Sequence, residues 1–190
     1  MISSWSSTIS GTKQWTQHEN LYWWGPPSNG LTARRIATDS SGNVYVTGNS
    51  FGLTGITSAG GVDLFVIKYD SSGAKQWTRQ LGTSSGDYAN GIATDSSGNV
   101  YVNGDTWGGL DGNTNAGGDD IFVVKYNSTG VKQWTQQLGS SNSDYAQGTS
   151  TDSSGNVYLT GYTTSGLDGN TNAESYDLFV VKYDTDGNKQ

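Results

Sequence analysis

Thr38-Asp-Ser-Ser-Gly-Asn-Val-Tyr45 returns unchanged at Thr94 to Tyr101 and again at Thr151 to Tyr158, at spacings of 56 and 57 residues. Self-similarity at one fixed period is the mark of a repeat architecture, in which each unit is one small piece of supersecondary structure. A second marker, Lys-Gln-Trp, stands at Lys13 to Trp15, Lys75 to Trp77 and Lys132 to Trp134, and Lys189-Gln190 repeats its first two residues. Residues 92 to 133 agree with 149 to 190 at 27 of 42 positions, which is more than packing alone demands and points to duplication.

Within a unit the turn chemistry predicts four strands. In the second unit the expected strands are 88–94, 99–104, 121–126 and 131–138. They are separated by Asp95-Ser-Ser-Gly-Asn99, a long loop over 105–119, and Asn127-Ser-Thr-Gly130. Gly98 and Gly130 fall where short hairpin loops need a positive φ, and Asp or Asn at the loop start accepts backbone hydrogen bonds. The third strand, Asp63-Leu-Phe-Val-Ile-Lys-Tyr69 with copies at Asp120 to Tyr126 and Asp177 to Tyr183, is apolar on both faces. Such a strand needs a neighbouring sheet on each side. The fourth alternates Trp77 and Leu81 with Gln76, Thr78 and Gln80, as a half-exposed outer edge does. The fold class is therefore all-β, built from four-stranded antiparallel β-propeller blades with about 57 residues per repeat and about three blades in the chain.

These stretches resemble the bacterial β-propeller repeat family SBBP. The resemblance is carried by Ile36 to Gly48, Gly109 to Asn115, Phe122 to Tyr126 and Lys132 to Trp134, and it covers about residues 31–190. It implies a propeller of the kind found in exported or surface proteins, hence an extracellular or cell-surface home, and it implies no defined activity. The units read as 1–35, an N-terminal outer strand with an aromatic insert; 36–91 and 92–148, the first two blades; and 149–190, a third blade without its own outer strand. Because the chain opens on a fourth-strand sequence, the expectation is completion in trans. Lys13, Gln14, Trp15, Thr16 and Gln17 of one copy would add to the blade that ends at Lys189 and Gln190 of another. Propellers typically have about 4 to 8 blades, so two copies would close a six-bladed ring, and a rotation that does not close would give a head-to-tail filament.

The 190 residues carry 17 acidic and 10 basic side chains, a net charge of −7. A polyanionic nucleic acid is repelled by that balance. With no Cys, thiol nucleophiles, disulfides and zinc-thiolate sites are excluded. The start, Met1-Ile-Ser-Ser-Trp-Ser-Ser-Thr-Ile9, lacks a basic segment followed by an apolar run, and no stretch has the ~18 apolar residues of a membrane helix, so no membrane insertion is expected.

Three constellations invite chemistry. The first is Asp111-Gly-Asn113-Thr-Asn115, closing at Asp119 and repeated as Asp168, Asn170, Asn172 and Glu174. Its oxygen side chains alternate as in loops that wrap calcium, the one cofactor this pattern suggests; Asx-turn capping by the same side chains is the alternative. The second is the cluster Tyr22, Trp23 and Trp24 beside Pro26-Pro27, with Trp107 on a later loop. These rings could stack on a glycan or another ligand, as in a lectin-like module, or make a subunit contact. The third is Gly82-Thr-Ser-Ser-Gly86, which has the letters of a nucleophile elbow but joins two strands, whereas that motif needs a strand-to-helix turn. His18 is the sole histidine, and no acid-base set recurs among the repeats, so no catalytic residue is assigned and no enzyme is expected. The reading is a non-enzymatic, self-assembling structural protein whose partner is itself; a carbohydrate-binding propeller is the alternative.

Overall fold

The computed structural model describes residues 15–17, 31–53 and 55–190. Among these residues eleven strands form three antiparallel meanders, each paired in sequence order. The first sheet holds β1 (Thr32–Thr38), β2 (Val44–Ser50), β3 (Asp63–Tyr69) and β4 (Lys75–Leu81). The second holds β5 (Asp87–Thr94), β6 (Val100–Thr106), β7 (Asp120–Tyr126) and β8 (Lys132–Leu138), and the third β9 (Asp144–Thr151), β10 (Val157–Thr163) and β11 (Asp177–Tyr183). A 3-10 turn at Leu110–Gly112 is the one helical element among the described residues. The repeat boundaries at 91/92 and 148/149 fall inside β5 and β9, because each sheet starts several residues before the motif that makes the repeat visible.

The repeated octapeptide is a self-closing hairpin. Asp95 Oδ1 accepts the backbone N–H groups of Ser97 and Asn99, each at 2.9 Å, while Oδ2 accepts Asn99 Nδ2 at 2.7 Å and the Tyr101 hydroxyl at 3.1 Å. Asp39 and Asp152 make the same contacts in their copies. Hydrogen bonds to an ionised carboxylate favour that form. The Asn156 amide leads the set that pulls Asp152 down to about 2.

The sheets stack face to face, with β5 lying between β1 and β9 at the innermost position. A cluster of Tyr45, Leu64 and Val66 from the first sheet packs on Val100, Val102, Phe122 and Val124 of the second. Tyr101, Ile121 and Val123 pack on Val157, Leu159 and Val181 of the third in the same way. Every residue of β3 and β7 is buried, as a strand apolar on both faces requires.

Candidate interaction faces

Call the face a sheet turns to the next one trailing, and the face that receives it leading. The chain builds this junction twice with the same parts. Lys68 Nζ, over the Tyr45 ring, donates to Ser128 O at 3.0 Å; Lys125 Nζ, over Tyr101, donates to Thr185 O at 2.8 Å. Trp77 Nε1 donates to the same Ser128 carbonyl at 3.3 Å, and Trp134 Nε1 to Thr185 O at 3.0 Å. Across the innermost strands, Thr94 Oγ1 donates to Thr38 O and Thr151 Oγ1 to Thr94 O, at 2.9 and 2.8 Å. Asn49 Oδ1 accepts the Ala89 N–H at 2.8 Å, and Asp105 Oδ1 accepts that of Ala146 at 2.6 Å. Burial raises Asp105 to about 7 against the lowering pull of the Ala146 N–H and the Asn90 amide.

The outer strand seats its tryptophan on the next sheet's hairpin glycine. A Cβ on Gly130 would lie 2.8 Å from Trp77 Cδ2, and one on Gly187 2.9 Å from Trp134 Cδ2. Both glycines also have positive φ, +78° and +87°, so the residue that turns the hairpin is the residue flat enough to take the indole. The two indoles sit 6.4 Å from Tyr126 and Tyr183, at 37° and 39°.

Trp15 occupies the same seat on the first sheet. Its ring lies 6.2 Å from Tyr69 at 33°, and a Cβ on Gly73 would lie 2.7 Å from Trp15 Cδ2. Trp15 therefore stands where the outer-strand tryptophan of a preceding sheet would stand. Next to it, Trp15, Leu31, Ile36, Val46, Phe65 and Tyr69 line an apolar groove of about 270 Å³ on the leading face.

At the other end the trailing face of the third sheet is open. Leu178 and Val180 are 78% and 68% exposed, although their counterparts Leu64, Val66, Ile121 and Val123 are buried. Lys182 lies over the Tyr158 ring at 5.5 Å, as Lys68 and Lys125 lie over theirs. Along the outer edge, Leu138, Leu167, Asp177, Phe179, Val181 and Lys189 line a groove of about 390 Å³. In the second sheet this place belongs to β8, whose Gln137 accepts the Leu110 N–H and donates to Asp120, both at 2.9 Å.

The structure distributes the sequence-predicted residues unevenly. Trp15 is seated as described, while Thr16 and Gln17 are exposed; Lys13 and Gln14 lie outside the described residues, as do His18, Tyr22, Trp23 and Trp24. Lys189 makes the isolated bridge to Tyr183, and Gln190 N donates to Lys182 O at 3.0 Å, which is the register of a fourth strand beginning. In the candidate calcium loops Asp111 pairs with Lys132, Asp168 with Lys189, and Asp119 accepts the Trp107 indole N–H. Asn113 and Asn170 donate to the carbonyls of Leu110 and Leu167 at 2.8 and 3.1 Å, and Asn115 to Gly118 O at 3.0 Å. Asn172 Nδ2 is buried without a partner, and Glu174 is exposed. Among the described residues no three His, Cys, Asp or Glu side chains come together as a metal-binding group. Trp107 is 59% exposed, 6.2 Å from Tyr88. The 82–86 stretch is a linker whose Thr83 N–H donates to Asp87 at 2.6 Å, and it joins strand to strand.

Sequence reasoning missed the Trp-on-glycine seat and the lysine-to-carbonyl bond. The available signal was that each hairpin glycine, Gly73, Gly130 and Gly187, stands five residues after the lone Lys of an otherwise apolar strand, Lys68, Lys125 and Lys182.

The profile of the SBBP family, described as a beta-propeller repeat, matches residues 25–52, 76–111 and 133–168. The regulatory protein FlaEY of Caulobacter vibrioides is 29% identical over 177 aligned positions, 84% of this chain and 19% of that protein. An uncharacterized WD repeat-containing protein of Acanthamoeba polyphaga mimivirus is 29% identical over 153 positions, 72% of this chain and 10% of that protein. The chain thus spans less than a fifth of the length of either relative.

Proposed function

Because the chain belongs to the SBBP beta-propeller repeat family, whose matches cover more than half of it, we propose that it works as a non-enzymatic scaffold that assembles head to tail with itself. The N-terminal strand of one copy adds to β11 of another, and the leading face of the first sheet receives the trailing face of the third. Repetition around a closing rotation gives a ring, and without closure a filament.

One observation carries this reading. Trp15 sits on Gly73 and Tyr69 with the geometry by which Trp77 and Trp134 bind one sheet to the next. Repetition of the junction then brings Lys182 to Ser71 O and Tyr158 to Trp15 of a second copy. The apolar side chains Leu178 and Val180 would leave water in the same step, each worth about 1.5–3 kcal/mol when fully buried.

Light scattering after size exclusion tests it on the 190-residue chain and on a variant lacking residues 1–17. The expected masses are a multiple of 20.1 kDa for the first and that of one shortened chain, below 20.1 kDa, for the second. A monomer in the first case, or unchanged assembly in the second, overturns the reading.

A second reading, binding of a neutral glycan, is favoured by one feature: Trp107 is exposed beside the Asp119 carboxylate, a stacking face next to a hydrogen-bond acceptor. Saturable quenching of tryptophan fluorescence by an oligosaccharide, lost in Trp107→Ala, would support it. Quenching that persists in that variant removes this site from consideration.

A further inference from the structure

The two internal junctions share an acidic upper rim. At the first, Asp87 N donates to Val62 O at 2.6 Å, Asp63 and Asp87 are both buried, and burial raises the Asp87 carboxyl, with the Asp63 charge adding to the rise. At the second, Asp144 N donates to Asp119 O at 2.7 Å, and Asp120 and Asp144 are fully buried, each with a carboxylate oxygen that has no hydrogen-bond partner. The trailing side adds Asn49 in one case and Asp105 in the other, each receiving an N–H from the sheet opposite.

The faces that do not meet within the chain depart from this rim together. On the trailing face of the third sheet Tyr162 stands at the position of Asn49 and Asp105, and Tyr176 at that of Val62 and Asp119. Tyr162 lies 5.0 Å from Tyr145 and 5.4 Å from Tyr176, which is 68% exposed, so three rings form one aromatic patch. On the leading face of the first sheet Leu31 stands at the position of Asp87 and Asp144 and packs with the cluster of Leu53, Phe65 and Ile67.

We propose that Tyr162 and Tyr176 of one copy cover Leu31 of the next, and that this apolar rim selects the joint between copies over exchange of sheets between copies. It rests on the head-to-tail reading and names the residues that give that joint its specificity. A face carrying Tyr162 and Tyr176 set against β5 or β9 would bury the carboxylate of Asp87 or Asp144 under aromatic rings, at a desolvation cost that Leu31 avoids. Apolar replacement on both of two faces that never touch within the chain follows if those faces touch each other.

The test uses three full-length chains: wild type, Leu31→Asp, and Tyr162→Asp/Tyr176→Asp, the last carrying acids as the second sheet does. Sedimentation velocity gives the dissociation constant, and thermal unfolding confirms that each monomer folds. Each variant alone is expected to associate at least tenfold more weakly than wild type. An equimolar mixture of the two is expected to recover a two-chain species, because the first retains an intact trailing face and the second an intact leading face. Wild-type association by either variant, or no recovery on mixing of folded chains, overturns the proposal. A monomeric wild type overturns the head-to-tail reading itself, whereas wild type that assembles only with residues 1–17 beside unaffected variants removes this inference alone.

Discussion

β7 and β11 read Asp-Ile-Phe-Val-Val-Lys-Tyr and Asp-Leu-Phe-Val-Val-Lys-Tyr, one conservative change in seven. Yet β7 is buried throughout, while β11 alternates, with Leu178 and Val180 in solvent and Val181 and Tyr183 covered. The strand sequence specifies that both faces want cover, and the neighbouring sheet decides whether they have it. Unequal burial of two nearly identical strands thus marks the sheet that has no neighbour on one face among the described residues.

The sharpest way to break the comparison is a charge at matched positions. Val123→Asp puts a carboxylate between two packed sheets and should cost more than about 4 kcal/mol, seen as loss of cooperative unfolding. Val180→Asp should leave the monomer's thermal midpoint within about 2 °C of wild type, because the site is wet, while abolishing association. Equal destabilisation by the two would mean that the trailing face of the third sheet is already covered within the chain.

Two glycines of similar φ extend the contrast. Gly112→Ala at φ +84°, with open space around the new Cβ, should cost about 1 kcal/mol from the left-handed backbone alone. Gly130→Ala at φ +78° must also displace the Trp77 indole and should cost about 3 kcal/mol, read by chemical denaturation. Equal costs would show that the seat contributes nothing.

Asp105 separates the first junction from the second by pH. Its carboxyl is raised to about 7 by burial, from 3.8, so the folded chain keeps a proton that the unfolded chain has already released. Stability from this group is complete below about pH 4, falls as pH rises toward 7, and is flat above it. Asp105→Asn, which reproduces Asn49 of the first junction, should flatten that slope and raise the midpoint at pH 8 by roughly 2–4 °C per kcal/mol recovered. An unchanged slope in the variant would assign the pH dependence elsewhere. Smallest of all, Lys132→Met removes a partly exposed pair with Asp111 and should change stability by about 0.5 kcal/mol or less.

The strands and hairpins were legible in the sequence because their causes are local. Asp95, Gly98, Asn99 and Tyr101 meet one another within a single turn, so their spacing alone encodes the contact. The rim was not legible, since Leu31, Tyr162 and Tyr176 gain meaning only when the sheets are superposed and each residue is compared with the group opposite. The loops at 111–119 and 168–177 show a related limit. The same oxygen-rich alternation serves a cation or the loop's own backbone, and the pairing of Asp111 with Lys132 and of Asp168 with Lys189, 21 residues apart, depends on the fold.

The stapled octapeptide also has a consequence in time. Asp39, Asp95 and Asp152 close their hairpins with partners at most six residues away, so closure waits for no distant part of the chain. A hairpin forms in about 1–10 μs, whereas a ribosome adds roughly 5–20 residues each second and takes several seconds over one repeat. Each unit is thus born with its first turn already made, and the slow steps left to the nascent chain are the docking of one finished sheet on the one synthesised before it.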